Sequence, residues 1–264
     1  MTDISEKASD TPDPAPDWAD LLADGRGRRI GAVLAVIVLH AGGNYAAVTL
    51  APAIVAEVGG GELIGALTAL FNITTVLAAA ATGPLASRYG TKWLWWIMTG
   101  LAFSGALLSA AAGTMTWIAT GRAIAGFGGG GLLALGFIAL RAETTPAAFP
   151  KISAISGAFW IGAAFAGPLI GGLFADFVGW RPAFVMLGIG MLIYGIGNAR
   201  MIAKVETERN IEPFPVVAFV AFGLGVALIS FAPQFDRAIA AAITVVGLAA
   251  LTSAIWRERS HVPR

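Results

Sequence analysis

WIATGRAIAGFGGGGLLALGFIAL, residues 117–140, is a long and almost uncharged part of the chain. Its 24 residues carry a single charge, that of Arg122. As an α-helix the stretch would extend about 36 Å, which is more than the ~30 Å thickness of the hydrocarbon core of a bilayer. We therefore expect it to cross a membrane as one helix.

Apolar segments of similar length fill the chain on both sides of this stretch. The chain is 57% hydrophobic and 12% charged, about half the charged fraction of soluble domains, and its mean hydropathy is +0.76. The sequence thus predicts an all-α fold, a polytopic helical bundle in a membrane. We predict eight spans, at 30–55, 63–85, 93–112, 115–140, 152–175, 182–202, 215–232 and 238–256.

Several classes of function have no residues to support them. The chain has no cysteine and only two histidines, His40 in a span and His261 near the end. No carboxylate pair falls in an enclosed position. We therefore expect no metal, no cofactor and no enzymatic activity, and the net charge of +1 gives no reason to expect a nucleic-acid partner.

The parts outside the spans are short and polar. Residues 1–29 hold seven acids and three prolines, a composition that predicts a disordered tail. Trp18, Leu21 and Leu22 in this tail have helical spacing, so a short helix on the membrane surface is an open alternative. Residues 203–214 are expected to form a loop and residues 257–264 a second tail.

The basic residues give the chain an orientation. With the N-terminus in the cytoplasm and eight alternating spans, fourteen Lys and Arg residues fall on the cytoplasmic side. Only Arg181 and Arg237 fall outside. This bias follows the positive-inside rule and predicts a multi-pass protein of the inner (plasma) membrane with both termini in the cytoplasm.

GPLASRYGTK, residues 83–92, joins the predicted spans 2 and 3. We expect a tight turn here, with a positive φ angle at Gly90 and cations facing the inner leaflet; an ordinary positive-inside loop is the open alternative. The segment resembles the loop signature of the major facilitator superfamily, G-x-L-a-D-r-x-G-r-K, although Ser87 stands where the family has Asp. The matching positions are Gly83, Leu85, Arg88, Gly90 and Lys92.

Arg122 lies inside an apolar run, where an arginine costs about 2.5–3.5 kcal/mol. We expect it to face a polar partner or a wet cavity. The alternative is a side chain that extends to the outer interface near Thr114. The segment 122–128 resembles the R-x-x-q-G-x-g pattern of the same family. Gly126, Gly128 and Gly131 also satisfy the dinucleotide fingerprint, but in mid-span they cannot meet a pyrophosphate in water, and we reject it.

AISGAFWIGAAFAGPLIGG, residues 154–172, belongs to the predicted span 5. Proline bends a helix and glycine lets a neighbouring helix approach closely. The segment resembles the antiporter signature of the family, which there marks exporters. The positions that match are Gly167, Pro168, Gly171 and Gly172. A generic kinked span is the alternative.

These three resemblances cover residues 35–202 in the order that the family has. They imply the N-terminal six-helix half of a major facilitator superfamily transporter, built from two inverted three-helix repeats. Spans 7 and 8 resemble the two additional linker spans of the fourteen-span drug:proton antiporters. In that branch span 1 carries an Asp, and Gly43 stands at its place here.

Two polar residues of span 1 are the remaining candidates for proton coupling. His40 and Asn44 have i, i+4 spacing and share one helix face. An imidazole exchanges a proton near neutral pH, so His40 could carry one. The alternative is a histidine that is hydrogen-bonded to a neighbouring helix. Asn72 of span 2 is a weaker candidate. The family also implies that Asn44 and Arg122 line one cavity.

The resemblance implies secondary active, proton-coupled export of small amphipathic compounds, with the lipid bilayer and a small-molecule substrate as partners. We expect the chain to be truncated or one part of a split transporter. It would then work with a separate C-terminal half or with a second copy. The alternative is a non-transporting membrane subunit or remnant that packs against such a half.

Overall fold

The computed structural model describes residues 26–142, 144–145, 147–202, 216–231 and 237–261. Within these ranges the chain is helical and contains no strand, which confirms the all-α prediction. A 3-10 turn, Gly61–Leu63, leads into the second helix. The helices are α1 Arg26–Val58, α2 Ile64–Tyr89, α3 Thr91–Ala111, α4 Met115–Arg141, α5 Phe149–Phe177, α6 Trp180–Ile202, α7 Val216–Phe231 and α8 Arg237–His261.

The helices follow the predicted spans and extend beyond several of them. Residues 26–29, which we assigned to the tail, form the first turn of α1, and α8 continues to His261 rather than ending at 256. Arginine side chains can reach the headgroups from such end turns, so the backbone stays helical. Residues 1–25 of the predicted tail, with the alternative surface helix at Trp18–Leu22, and the predicted loop at 203–214 lie outside the described residues.

Helices α1 to α6 are long and apolar enough to cross a membrane. The chain is therefore a multi-pass membrane protein. Helix α7 has 16 residues, and the described apolar part of α8, Ile239–Ala250, is shorter than a span. These two helices pack against each other, and α7 also packs on α2, where a Cβ on Gly223 would lie 2.9 Å from Leu77 Cδ2.

Helix α4 forms the centre of the bundle and packs along α2 and α3. Several of its glycines lie directly against one or the other of these two helices. A Cβ on Gly130 would lie 2.6 Å from the Thr75 carbonyl oxygen of α2, and one on Gly128 would lie 2.6 Å from the Met98 carbonyl oxygen of α3. Apolar helices gain little from burial against each other in lipid, so this close approach holds the bundle together.

Helix α5 is attached to the bundle mainly through α1. Its buried residues form a narrow stripe, whereas large side chains on its other faces are open, among them Phe165 at 77% and Leu169 at 67% exposed. The stripe consists of Ile152, Ser156, Ala163, Gly167 and Gly171.

A polar cluster joins α1, α3 and α6 at the end of the bundle that the charge count places outside. Glu57 accepts hydrogen bonds from Trp180 Nε1, at 2.7 Å, and from Arg181. Arg181 also donates to the Ala112 carbonyl oxygen at 3.2 Å, and its guanidinium lies 4.2 Å from the centre of the Trp180 ring. Through these hydrogen bonds the cluster joins the start of α6 to the end of α1.

Candidate functional site

Arg122 points into the bundle and not toward the outer interface. It lies two turns after the start of α4, and only 4% of it is exposed. Its Nη2 donates a hydrogen bond to Asn44 Oδ1 of α1 at 2.5 Å. The structure thus brings Arg122 and Asn44 into direct contact. A short hydrogen bond from a charged donor is among the stronger polar contacts that a bundle interior offers.

The contact continues to the surface of the bundle through a second amide. Asn44 Nδ2 donates to Asn72 Oδ1 of α2 at 3.2 Å. Asn44 is half-buried and Asn72 is exposed. A row of polar groups, here called the polar ladder (Arg122, Asn44, Asn72), therefore runs from the interior of α4 to the open face between α1 and α2.

Phe71 supports the ladder and was not identified from the sequence. The Arg122 guanidinium lies 3.9 Å from the centre of the Phe71 ring, close enough for a cation–π contact. His40 stacks on the same residue, with 4.7 Å between ring centres and 27° between planes. No pattern in span 2 distinguishes Phe71 from the other aromatic residues of the spans, because the span is apolar on every face.

His40 is buried, with 2% of it exposed, and it has the hydrogen bond to a neighbouring helix that we gave as the alternative. Its Nε2 lies 3.2 Å from Thr75 Oγ1 of α2. The Thr75 hydroxyl also lies 2.7 Å from the Phe71 carbonyl oxygen, its nearest acceptor. A hydroxyl has one proton, so we assign His40 Nε2 as the donor to Thr75. His40 and Asn44 share a face of α1 but have different partners.

A small cavity of about 30 Å³ lies beside His40, Phe71 and Arg122, and Asn44 is not among its lining residues. Its polar lining residues are His40, Arg122 and Ser109, and the rest of the lining is apolar. Among the described residues, Arg122 Nε and His40 Nδ1 are buried without a hydrogen-bond partner. A Cβ on Gly129 would lie 2.9 Å from His40 Cε1, so only glycine leaves space for the imidazole there.

A model of the major facilitator superfamily matches residues 33–215 of the chain. The chain belongs to the major facilitator superfamily. A probable multidrug-efflux transporter of Mycobacterium tuberculosis (strain H37Rv) is 33% identical over 184 residues, 69% of this chain and 37% of that protein. An MFS transporter of Phoma sp. is 34% identical over 166 residues, 61% of this chain and 28% of that protein. The chain thus spans about a third of the length of these relatives.

The superfamily loop signature forms the connection between α2 and α3. Gly90 alone separates the two helices, and its φ angle is +87°, as we predicted. The predicted break at 86–92 is therefore shorter than expected, because the helix continues to Tyr89, with the Ser87 hydroxyl donating to the Gly83 carbonyl oxygen one turn earlier at 2.8 Å. Arg88 and Lys92 are exposed, Leu85 packs against the core, and none of the signature residues touches the polar ladder in the part of the chain that the structure describes.

The antiporter signature on α5 divides between two faces. Gly167 and Gly171 pack on α1, where a Cβ would lie 2.7 Å from the carbonyl oxygens of Gly42 and Ala46 respectively. Pro168 is exposed, and a Cβ on Gly172 would have no atom within 4 Å. The signature therefore contributes to the contact between α1 and α5, and it lies apart from Arg122 and His40.

Proposed function

We propose that the chain forms one six-helix bundle of a secondary active exporter for small amphipathic compounds. The observation that carries the proposal is the polar ladder. A membrane bundle retains an arginine at depth, despite its cost, where the charge has a role on a substrate or ion path. The ladder leads from that charge to the open face between α1 and α2, where a substrate could meet it.

Two relatives support export as the direction of transport. The proteins from Mycobacterium tuberculosis are named probable multidrug-efflux transporters, and the matching stretch includes the antiporter signature. Transporters of this architecture place the substrate between two bundles near the midplane. We accordingly propose that a separate C-terminal half or a second copy of the chain supplies the opposite wall, and that the activity is transport rather than enzymatic turnover.

The test is complementation of a strain that lacks the chain. A source strain that lacks the chain, with and without a plasmid copy, is loaded with fluorescent amphipathic compounds, and their retention is followed before and after collapse of the proton gradient. We expect the plasmid copy to lower retention only while the gradient exists. Equal retention with and without the chain for every compound would contradict transport and favour the non-transporting subunit.

Orientation in the inner membrane is part of the proposal and has its own test. The chain lacks cysteine, so single cysteines report cleanly on exposure to an impermeant thiol reagent. We expect Glu62→Cys and Thr114→Cys to react from outside in intact cells and Tyr89→Cys to react only after lysis. All three positions are exposed in the bundle. Reaction of Tyr89→Cys in intact cells would reverse the orientation.

Gly60 lies in the same connection between α1 and α2 as Glu62, but it is a poor position for a reporter cysteine. Its φ angle is +73°, and a Cβ there would lie 2.8 Å from Met115 Cβ. A cysteine at Gly60 would strain the turn, so Glu62 is the better choice on that side.

The coupling role of His40 stays a prediction, and one substitution examines it. A glutamine at this position can still hydrogen-bond to Thr75 but cannot carry a proton at neutral pH. We expect His40→Gln to fold, to bind substrate and to lose the acceleration of export by an imposed proton gradient. Thr244→Ser, in α8 and away from the ladder, is the matched control. Unchanged gradient dependence in His40→Gln would leave the histidine only its hydrogen-bonded role.

A further inference from the structure

The charge of Arg122 is compensated only by neutral groups in the described part of the chain. Its guanidinium contacts the Asn44 amide oxygen and the Phe71 ring. It has no carboxylate within salt-bridge distance there, and the ion pair between Arg181 and Glu57 lies away from it, at the outer end of the bundle. A buried cation without a counter-ion is among the most expensive arrangements in a protein interior.

The acids whose side chains the structure describes have other locations. Glu57 is bound by Trp180 and Arg181 at the outer end of the bundle, and Glu62 and Asp176 are exposed near that end. Arg122 is 96% covered by its own bundle, since only 4% of it is exposed. A carboxylate carried on a helix of another chain is too bulky to reach the guanidinium without displacing the helices around it, whereas a free ion or the carboxylate end of a small molecule needs only the cavity beside Arg122. A species small enough to enter the bundle is a better match.

The cavity beside Arg122 has room for such a species. Its volume of about 30 Å³ exceeds the ~10–15 Å³ that one water-sized group requires. Arg122 Nε, a donor on the side chain that lines this cavity, is buried without a partner among the described residues. The guanidinium presents its N–H groups in a fixed planar fork, a geometry that suits carboxylate oxygens and other small anions.

We propose that this cavity binds a small monovalent anionic group against Arg122, either a free halide or the carboxylate of an exported compound. The inference deepens the proposed function, because a carboxylate would define one class of substrate. It is nevertheless tested by binding and not by transport. Loss of transport activity would therefore leave the binding result intact, and failure to bind anions would leave export of neutral or cationic compounds standing.

The experiment follows the thermal unfolding of the purified full chain in lipid nanodiscs. The midpoint Tm is measured in sodium chloride, sodium acetate and sodium methanesulfonate at equal ionic strength, with methanesulfonate as the bulky reference. For a dissociation constant of about 1 mM, 100 mM of the bound anion should raise Tm by about 5 °C. We expect a saturable rise over the reference, with chloride if a free halide binds and with acetate alone if the pocket selects carboxylates.

Two variants test whether the anion-dependent rise in Tm comes from binding in the cavity. Arg122→Gln removes the charge, and Ala106→Val keeps the charge but fills part of the cavity, which Ala106 lines. Both should lose the anion-dependent rise, whereas Arg28→Gln on the exposed end of α1 should keep it. If Arg122→Gln does not fold, Ala106→Val decides alone. The proposal is overturned if neither anion exceeds the reference in the natural chain, or if the folded cavity variants respond as the natural chain does.

Discussion

Gly171→Leu should prevent stable assembly of the bundle, whereas Gly172→Leu, one position later, should leave it intact. A Cβ at position 171 would lie 2.7 Å from the Ala46 carbonyl oxygen and 3.0 Å from Ala46 Cα, while a Cβ at position 172 would have no atom within 4 Å. Because the obstacle is backbone, it cannot rotate away. Overpacking of this kind costs about 3 kcal/mol, and α5 has few other contacts to absorb it.

The measurement is the monodisperse fraction on size-exclusion chromatography after mild detergent extraction, together with Tm. The two variants add the same side chain to the same helix, so each controls for insertion and expression of the other. We expect little monodisperse protein for Gly171→Leu and a natural profile for Gly172→Leu. Similar behaviour of both variants would show that the antiporter signature does not hold α5 against α1.

The sequence predicts the number and order of the helices well, because apolar length alone defines a span. The ends are less predictable. A polar residue at a span end was assigned to a loop, yet the backbone of residues 26–29 and 86–89 stays helical. At the membrane surface a helix continues as long as its polar side chains can reach water, so composition marks where the lipid ends and not where the helix ends.

The candidate site could be predicted only in part, because its geometry depends on how the helices are rotated. Arg122 and Asn44 were identified because polar residues are rare within spans. Phe71 and Thr75 were missed, since helices that are apolar all round show no preferred face. The i, i+4 spacing placed His40 and Asn44 together, but in the structure they have different hydrogen-bond partners. His40 contacts Thr75, and Asn44 contacts Arg122.

Arg122→Gln is the substitution that should reduce export most. It removes the buried charge that we propose meets the transported species, and the loss of a charged contact of about 1.5–3 kcal/mol from the transition state of transport corresponds to a loss of roughly 10- to 100-fold in a rate. We expect that loss in initial export rates from loaded cells. Arg28→Gln, exposed at the start of α1, should export as the natural chain does.

The same variant separates function from folding. Removing an arginine from an apolar interior relieves a cost of about 2.5–3.5 kcal/mol, which offsets the lost hydrogen bond. Arg122→Gln should therefore unfold at the same temperature as the natural chain or at a higher one, measured in the methanesulfonate reference. A purely structural arginine would show the opposite pattern, with full export and a lower Tm. Stability retained while export is lost is the signature of a charge held in place for transport.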